Sequence, residues 1–347
     1  MAKPGIDFPR SEQEFRAWFQ DDNACLDYLD WLRWGNALVC TSCGIINQPR
    51  EVSGRVWRCS ACTAKVSRTT GTIFQDTRTP MTVWFQAAWE FCVDKGGVSA
   101  LTLKRRLGLG SYETAWTVLH RYRSAMMLSG VDKLSGTVEV DETFLGGVRP
   151  GKRGRGALGK VMVIIAVELK DPTGYGRTRM RVIPNAQATT IKQFLLDNVE
   201  LGSTIVSDGH RSYPPATRGN YVHIAHAVKP SGKQAHTMLP AVHRVASLLK
   251  RWFLGTYQGS FGHDHLDAYL AEFTFRWNRR RSPDRGLVFY RLMSLAVQAP
   301  PLHYDDIVKN PQPKPTRPTP PATKKVRPNS LSIPAPARPW RSSTPTP

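Results

Sequence analysis

No run of about 18 consecutive apolar residues occurs in the 347-residue chain, so no segment has the length and apolarity of a membrane-spanning helix. The opening MAKPGIDFPRSEQEF has no apolar stretch and reads as carrying no secretory leader. Cysteine is scarce, at six residues. In the reducing cytoplasm expected for such a chain, those six read as metal ligands or free thiols before disulfides. Acid is short as well: 27 Asp and Glu stand against 48 Lys and Arg, a net charge of +21. An excess of that size points to nucleic acid. A polybasic membrane patch fits less well, because no amphipathic anchor accompanies the charge. No internal repeat is visible.

With 41% hydrophobic and 10% aromatic residues the chain can bury a sizeable core, and its length implies two or three folded units plus tails. Residues 1–35 place Phe15, Trp18, Phe19, Tyr28, Leu29, Trp31 and Leu32 at helical spacing, as one or two packing helices. Residues 36–75 are Cys-bearing and β-like, and residues 80–130 are helical. Strand-like runs at 136–145, 161–169 and 204–207 alternate with helical stretches at 189–199, 241–253 and 265–280, so that 134–298 reads as one α/β domain. Residues 308–347 are rich in Pro, Lys and Arg without any acid, and read as a disordered basic tail.

Cys40, Cys43, Cys59 and Cys62 form two C-x2-C knuckles separated by fifteen residues, the spacing of a structural zinc ribbon. Four thiolates leave no open coordination position, which argues against catalysis at that metal. Cys25 and Cys92 lie outside the pattern and read as core residues, while Arg58, Lys65, Arg68 and Arg78 are candidate phosphate contacts. Next, residues 98–107, the Gly108-Leu109-Gly110 turn and residues 111–127 read as a helix-turn-helix with Ser111 as N-cap. An apolar stripe of Ala115, Val118, Leu119 and Tyr122 leaves Thr114, Thr117, Arg121 and Arg123 nearer the outside, where a recognition helix meets DNA.

Two strands carry an Asp near their ends: GTVEVDETFLGG with Asp141, and TIVSDGHRSY with Asp208. Strand alternation puts Glu139 and Asp141 on one face, with Val138 and Val140 on the other. Two such aspartates on neighbouring strands can bind divalent cations for phosphoryl chemistry. In LPAVHRVASLLKRW, Pro240 suits a first helical turn and Val242, Ala246, Leu249 and Phe253 form the buried stripe. His243 and Lys250, two turns apart, share a face. The Gly- and Arg-rich stretch 146–160 ends in GRGALGK followed by Val161 and a strand, so it is no P-loop. It reads as a basic hairpin loop offering Arg153, Arg155 and Lys160 to DNA phosphates. Phe273, Phe275 and Trp277 read as core, with Glu272 as a reserve acid.

The order of ribbon, helical segment, VEVDETFLGG, VSDGHRSY, HRVASLLKRW and YLAEFTFRWNRR resembles bacterial insertion-sequence transposases of the ISXO-like type, over about residues 10–295. The resemblance implies a multidomain α/β chain whose catalytic domain is ribonuclease-H-like. It also implies a triad of Asp141, Asp208 and His243 holding Mg²⁺ or Mn²⁺, with Lys250 seven positions on at a phosphate. Many relatives have Glu or Asn at the third place. Implied partners are the element's terminal repeats and target DNA, with the protein a homo-oligomer on paired ends, cytoplasmic and nucleoid-associated. The competing expectation is a non-enzymatic zinc-ribbon DNA-binding protein, which needs neither aspartate.

Overall fold

The computed structural model describes residues 2–35, 38–40, 42–47, 50–130, 132–146, 160–170, 172–226, 238–258 and 263–309. The chain divides into two compact units. The first takes Met1–Leu128 together with Ser282–Pro347, and the second is the intervening Ser129–Arg281. No described helix is long and apolar enough to cross a membrane.

In the first unit, Ser11 and Asp21 cap α1 (Glu12–Trp18) and α2 (Asp22–Trp34) by accepting from the N–H groups of Glu14 and Ala24. The ribbon pairs β1 (Leu38–Val39) with β2 (Ile46–Asn47), and β4 (Val56–Arg58) with both β3 (Arg50–Ser53) and β5 (Lys65–Ser67), all antiparallel. Arg68, expected at a phosphate, is instead buried in ion pairs with Asp27 and Asp30 of α2. Three helices follow: α3 (Met81–Val93), α4 (Ala100–Arg106) and α5 (Tyr112–Met127), the last capped by Ser111 as expected.

Helix α5 corrects the reading of its arginines. Arg121 and Arg123 are only 7% and 1% exposed. Arg121 donates to the carbonyls of Ile73 (2.9 Å) and Gln75 (3.1 Å), and Arg123 lies over the Phe91 ring. The flank left of the apolar stripe meets protein, because nine of the sixteen α5 residues are buried. These two side chains hold the core together and do not face DNA.

The second unit is built on a five-stranded sheet. β6 (Thr137–Leu145), β7 (Val161–Leu169) and β8 (Tyr175–Ile183) run as an antiparallel meander. After α6 (Ala188–Asn198), β9 (Thr204–Ser207) pairs parallel to β6; after α7 (Tyr213–Thr217), β10 (Val222–Ala225) pairs parallel to β9. The order is β10-β9-β6-β7-β8, and α8 (Pro240–Tyr257) and α9 (Leu266–Asn278) complete the unit.

Both faces of this sheet are covered. Leu145, Val163, Ile165 and Val167 pack with α8 and α9, while Val138, Val140, Ile164, Ala166 and Ile205 pack with α6 and α7. Burial on two sides is why VMVIIAVEL in β7 is a continuous apolar run and not an alternating one. This is the ribonuclease-H-like α/β architecture expected.

At Ser282 the chain returns to the first unit through α10 (Arg285–Ala296) and α11 (Tyr304–Lys309). Sequence patterning carries the α/β domain to 298, but α10 inserts Phe289 edge-on against Phe15 (5.5 Å) and Trp89 (5.8 Å), and the Tyr122 hydroxyl meets Met293. Its apolar face matches an aromatic cluster far away in sequence, which local periodicity does not reveal. Val308 and Lys309 belong to α11, and the rest of the expected basic tail lies outside the described residues.

Candidate active site

The four ribbon cysteines come together, their sulfurs all within 4.8 Å of one another. Cys40–Cys62 and Cys43–Cys59 are each 3.8 Å apart, which is the edge of a tetrahedron with metal–sulfur bonds of about 2.3 Å. The donor set and its spacing therefore fit Zn²⁺. Among the described residues this is the one group of three or more His, Cys, Asp or Glu side chains drawn that close. Cys25 and Cys92 are buried elsewhere, as expected.

In the second unit the site grows from strand register. β6 and β9 pair in parallel as Thr137↔Thr204, Val138↔Ile205 and Glu139↔Val206. Asp141 lies two residues beyond the last paired position on β6, and Asp208 directly follows the last residue of β9. The Asp141 Oδ1 accepts from the N–H of Glu142 at 2.8 Å. Asp208 accepts from the N–H of His210 at 2.9 Å across a turn in which Gly209 takes φ +79°, a conformation that favours glycine.

Helix α8 brings the third element. Pro240 sits in its first turn, and Val242, Ala246, Leu249 and Phe253 are buried as the stripe requires. That packing turns His243 toward β6, with its Nε2 3.8 Å from Asp141 Oδ2. The gap exceeds a hydrogen bond, and a carboxylate facing an imidazole is a donor pair suited to a divalent cation. Lys250 feels both Asp141 and Lys160. Burial first, and then the Lys160 charge, hold its ammonium below the usual lysine range, with Asp141 partly offsetting them. Lys160 is half-buried, whereas Arg153 and Arg155 lie outside the described residues.

Sequence reasoning gave no role to Tyr213, although it quoted the DGHRSY segment that carries it. The ring is fully buried, its hydroxyl donates to Glu142 Oε1 at 2.9 Å, and the ring stacks on His223. Burial, followed by the charges of Glu142, Asp141 and Asp208, pushes the phenol well above its usual range, so it stays a donor. Ser207 and His223 bond at 3.0 Å beside it. Glu272, the reserve acid, is fully buried against Arg276 and Tyr257 and takes no part in the site.

Comparison with known proteins gives two family matches. Residues 133–278 match the ISXO2-like transposase domain, and residues 20–65 match the transposase zinc-ribbon domain, which thereby includes all of α2. An uncharacterized protein in the transposable element ISH50 of Halobacterium salinarum is 26% identical over 289 residues, covering 77% of this chain and 94% of that protein. Among solved structures, the crystal structure of the Mos1 strand transfer complex is 12% identical with a TM-score of 0.28, covering 61% of this chain and 74% of that one.

Proposed function

We propose, from the match of residues 20–65 to a transposase zinc-ribbon domain and of residues 133–278 to an ISXO2-like transposase domain, that this chain is an insertion-sequence transposase that cuts DNA at its element's ends and joins them to target DNA. The observation that carries the proposal is the approach of His243 to within 3.8 Å of Asp141 on β6, the strand that pairs with β9, which Asp208 follows. Asp141, Asp208 and His243 would hold Mg²⁺ or Mn²⁺. Such ions, when bound, supply Lewis-acid charge for in-line displacement at a phosphodiester.

The chain's own residues account for the rest. Asp141 and His243 fix the reacting end of the site from a strand and a helix that share one core. Tyr213 anchors Glu142 on the opposite side of β6, so the loop beyond β9 and the Asp141 strand are braced together. Lys160 raises the cost of the charge on Lys250, and a DNA phosphate beside Lys250 would relieve it. The two lysines are thus suited to hold the scissile strand beside the carboxylates. The ribbon's fit to zinc assigns that metal a structural role. We further propose that the protein works as a homo-oligomer on paired ends, in the cytoplasm and on nucleoid DNA.

The test is strand transfer by the full chain with labelled, pre-cleaved element ends in Mg²⁺ and separately in Mn²⁺. Wild type should join ends, and Asp141→Asn and His243→Ala should abolish cleavage and joining while leaving end binding intact. Equal loss of binding and cleavage would sink the role assignment. Binding without any metal-dependent chemistry by wild type would mark a non-enzymatic DNA-binding protein, and cutting without joining would mark a nuclease.

A further inference from the structure

Glu139 is the acid on the Asp141 strand that the chemistry above does not use. It is 3% exposed and lies on the same face of β6 as Asp141. Its Oε2 accepts from the backbone N–H of Ala241 at 2.8 Å and of Val242 at 3.0 Å. Helix α8 has no side-chain cap of its own, because its N-cap is Leu239, and Pro240 has no N–H to satisfy. His243 N–H already bonds to the Leu239 carbonyl. Glu139 therefore accepts from both first-turn N–H groups that would otherwise lack an acceptor, from a strand about a hundred residues earlier.

The geometry couples this cap to the reacting groups. Glu139 binds residues 241 and 242, and two positions along the same strand Asp141 faces residue 243. One residue of slip in α8 would carry His243 about 1.5 Å along the axis and about 100° around it. We infer that Glu139 is a positioning residue, its carboxylate pinning the first turn of α8 to β6 and so setting His243 against Asp141. Burial pushes this carboxyl up from its usual range, and the two N–H groups, followed by the nearby His226, oppose that rise. This inference rests on the active-site reading above.

Glu139→Gln keeps an oxygen that can accept both N–H groups, and Glu139→Leu removes it. With the full chain in Mn²⁺ and labelled duplexes from the flanks of its own gene, E139L should lower kcat for cleavage about 100-fold, as a displacement of about 1 Å does. Its KM should stay within about threefold of wild type, since DNA binding is not the function removed. E139Q should restore kcat to within about tenfold. Hydrogen exchange should rise in E139L at the first turn of α8 and stay unchanged in β7 and α9. Wild-type kcat in E139L overturns the inference and leaves the transposase reading intact. Equal loss in E139Q and E139L, with exchange rising across the whole sheet, also overturns it, reducing Glu139 to a folding residue. A wild type without metal-dependent cleavage overturns the transposase reading and this role with it.

Discussion

An imidazole at position 243 is a softer donor than the carboxylate or amide that many relatives of this type carry, and it is less suited to Mg²⁺. His243→Glu should therefore keep cleavage and raise the ratio of Mg²⁺-supported to Mn²⁺-supported rate by about tenfold. An unchanged ratio would mean that residue 243 does not touch the cation. Lys250 offers a pH readout. Its folded-state pKa lies below the usual lysine value, chiefly through burial and then through Lys160, so the protonated form is lost earlier as pH rises. The alkaline fall in kcat/KM should accordingly begin below the range of an ordinary lysine. It should move upward in Lys250→Arg, which stays charged, and in Lys160→Ala, which removes the repulsion. A profile measured from pH 8 to 11 that is identical in all three would exclude Lys250 as the titrating group. The residue scale was partly legible in the sequence: Asp208, directly after β9, could be read from its own segment, whereas Asp141, expected near a strand end, is the fifth of nine residues in β6, which runs on to Leu145. Tyr213 and Glu139 could not be read that way, because their partners lie about seventy and a hundred residues away.

Among the elements, α5 teaches the limit of reading one helix at a time. Its stripe of Ala115, Val118, Leu119 and Tyr122 was correctly placed, and all four are buried. The adjoining flank was misjudged because the acceptors for Arg121 are carbonyls of the segment after the ribbon, which no helical wheel contains. Arg121→Ala should lower unfolding stability by about 1–3 kcal/mol, since two buried carbonyls lose their donor, and should leave the salt dependence of DNA binding unchanged. A reduced salt slope at full stability would restore Arg121 to the DNA interface. The β7–β8 pair carries its own electrostatic brace, in which Glu168 accepts from Arg177 and from the N–H groups of Ser135 and Arg177. Burial raises the Glu168 carboxyl, but the Arg177 guanidinium and those N–H groups outweigh it and leave the folded pKa low. A depressed carboxylate pKa gives stability that is present above the unfolded value of about 4.3 and is lost as pH falls through the folded value. Arg177→Met should cost about 1–3 kcal/mol at pH 7 and flatten the acid loss below pH 5, followed by denaturant titration. The strands at 136–145, 161–169 and 204–207 were legible from their apolar runs. β8, with TRMRV at its centre, was hidden by arginines whose heads reach carbonyls and carboxylates of neighbouring segments.

For the whole molecule, the two units should answer to different treatments. A strong chelator should abolish order in the ribbon, whose buried cluster among the described residues is Cys40, Cys59 and Val66, while the five-stranded unit keeps its own unfolding transition. Circular dichroism with zinc titration checks this, and chelation without effect on the ribbon would remove zinc from its stability. The first unit also depends on a segment that follows the second. A chain ending at Arg281 should lose the Phe289 contacts to Phe15 and Trp89 and unfold the first unit, with the second unchanged by hydrogen exchange. An order of events during synthesis follows from that connectivity. The ribosome must add about 160 residues between Leu128 and Phe289, roughly 10–30 s at about 5–20 residues per second, before the aromatic cluster receives Phe289. The contiguous α/β unit can collapse as soon as it emerges, while the earlier-made ribbon and helices wait for α10. The part of the chain made first is thus finished last, and for that interval its unfilled aromatic pocket is open to chaperones, to proteases and to the α10 of another nascent copy.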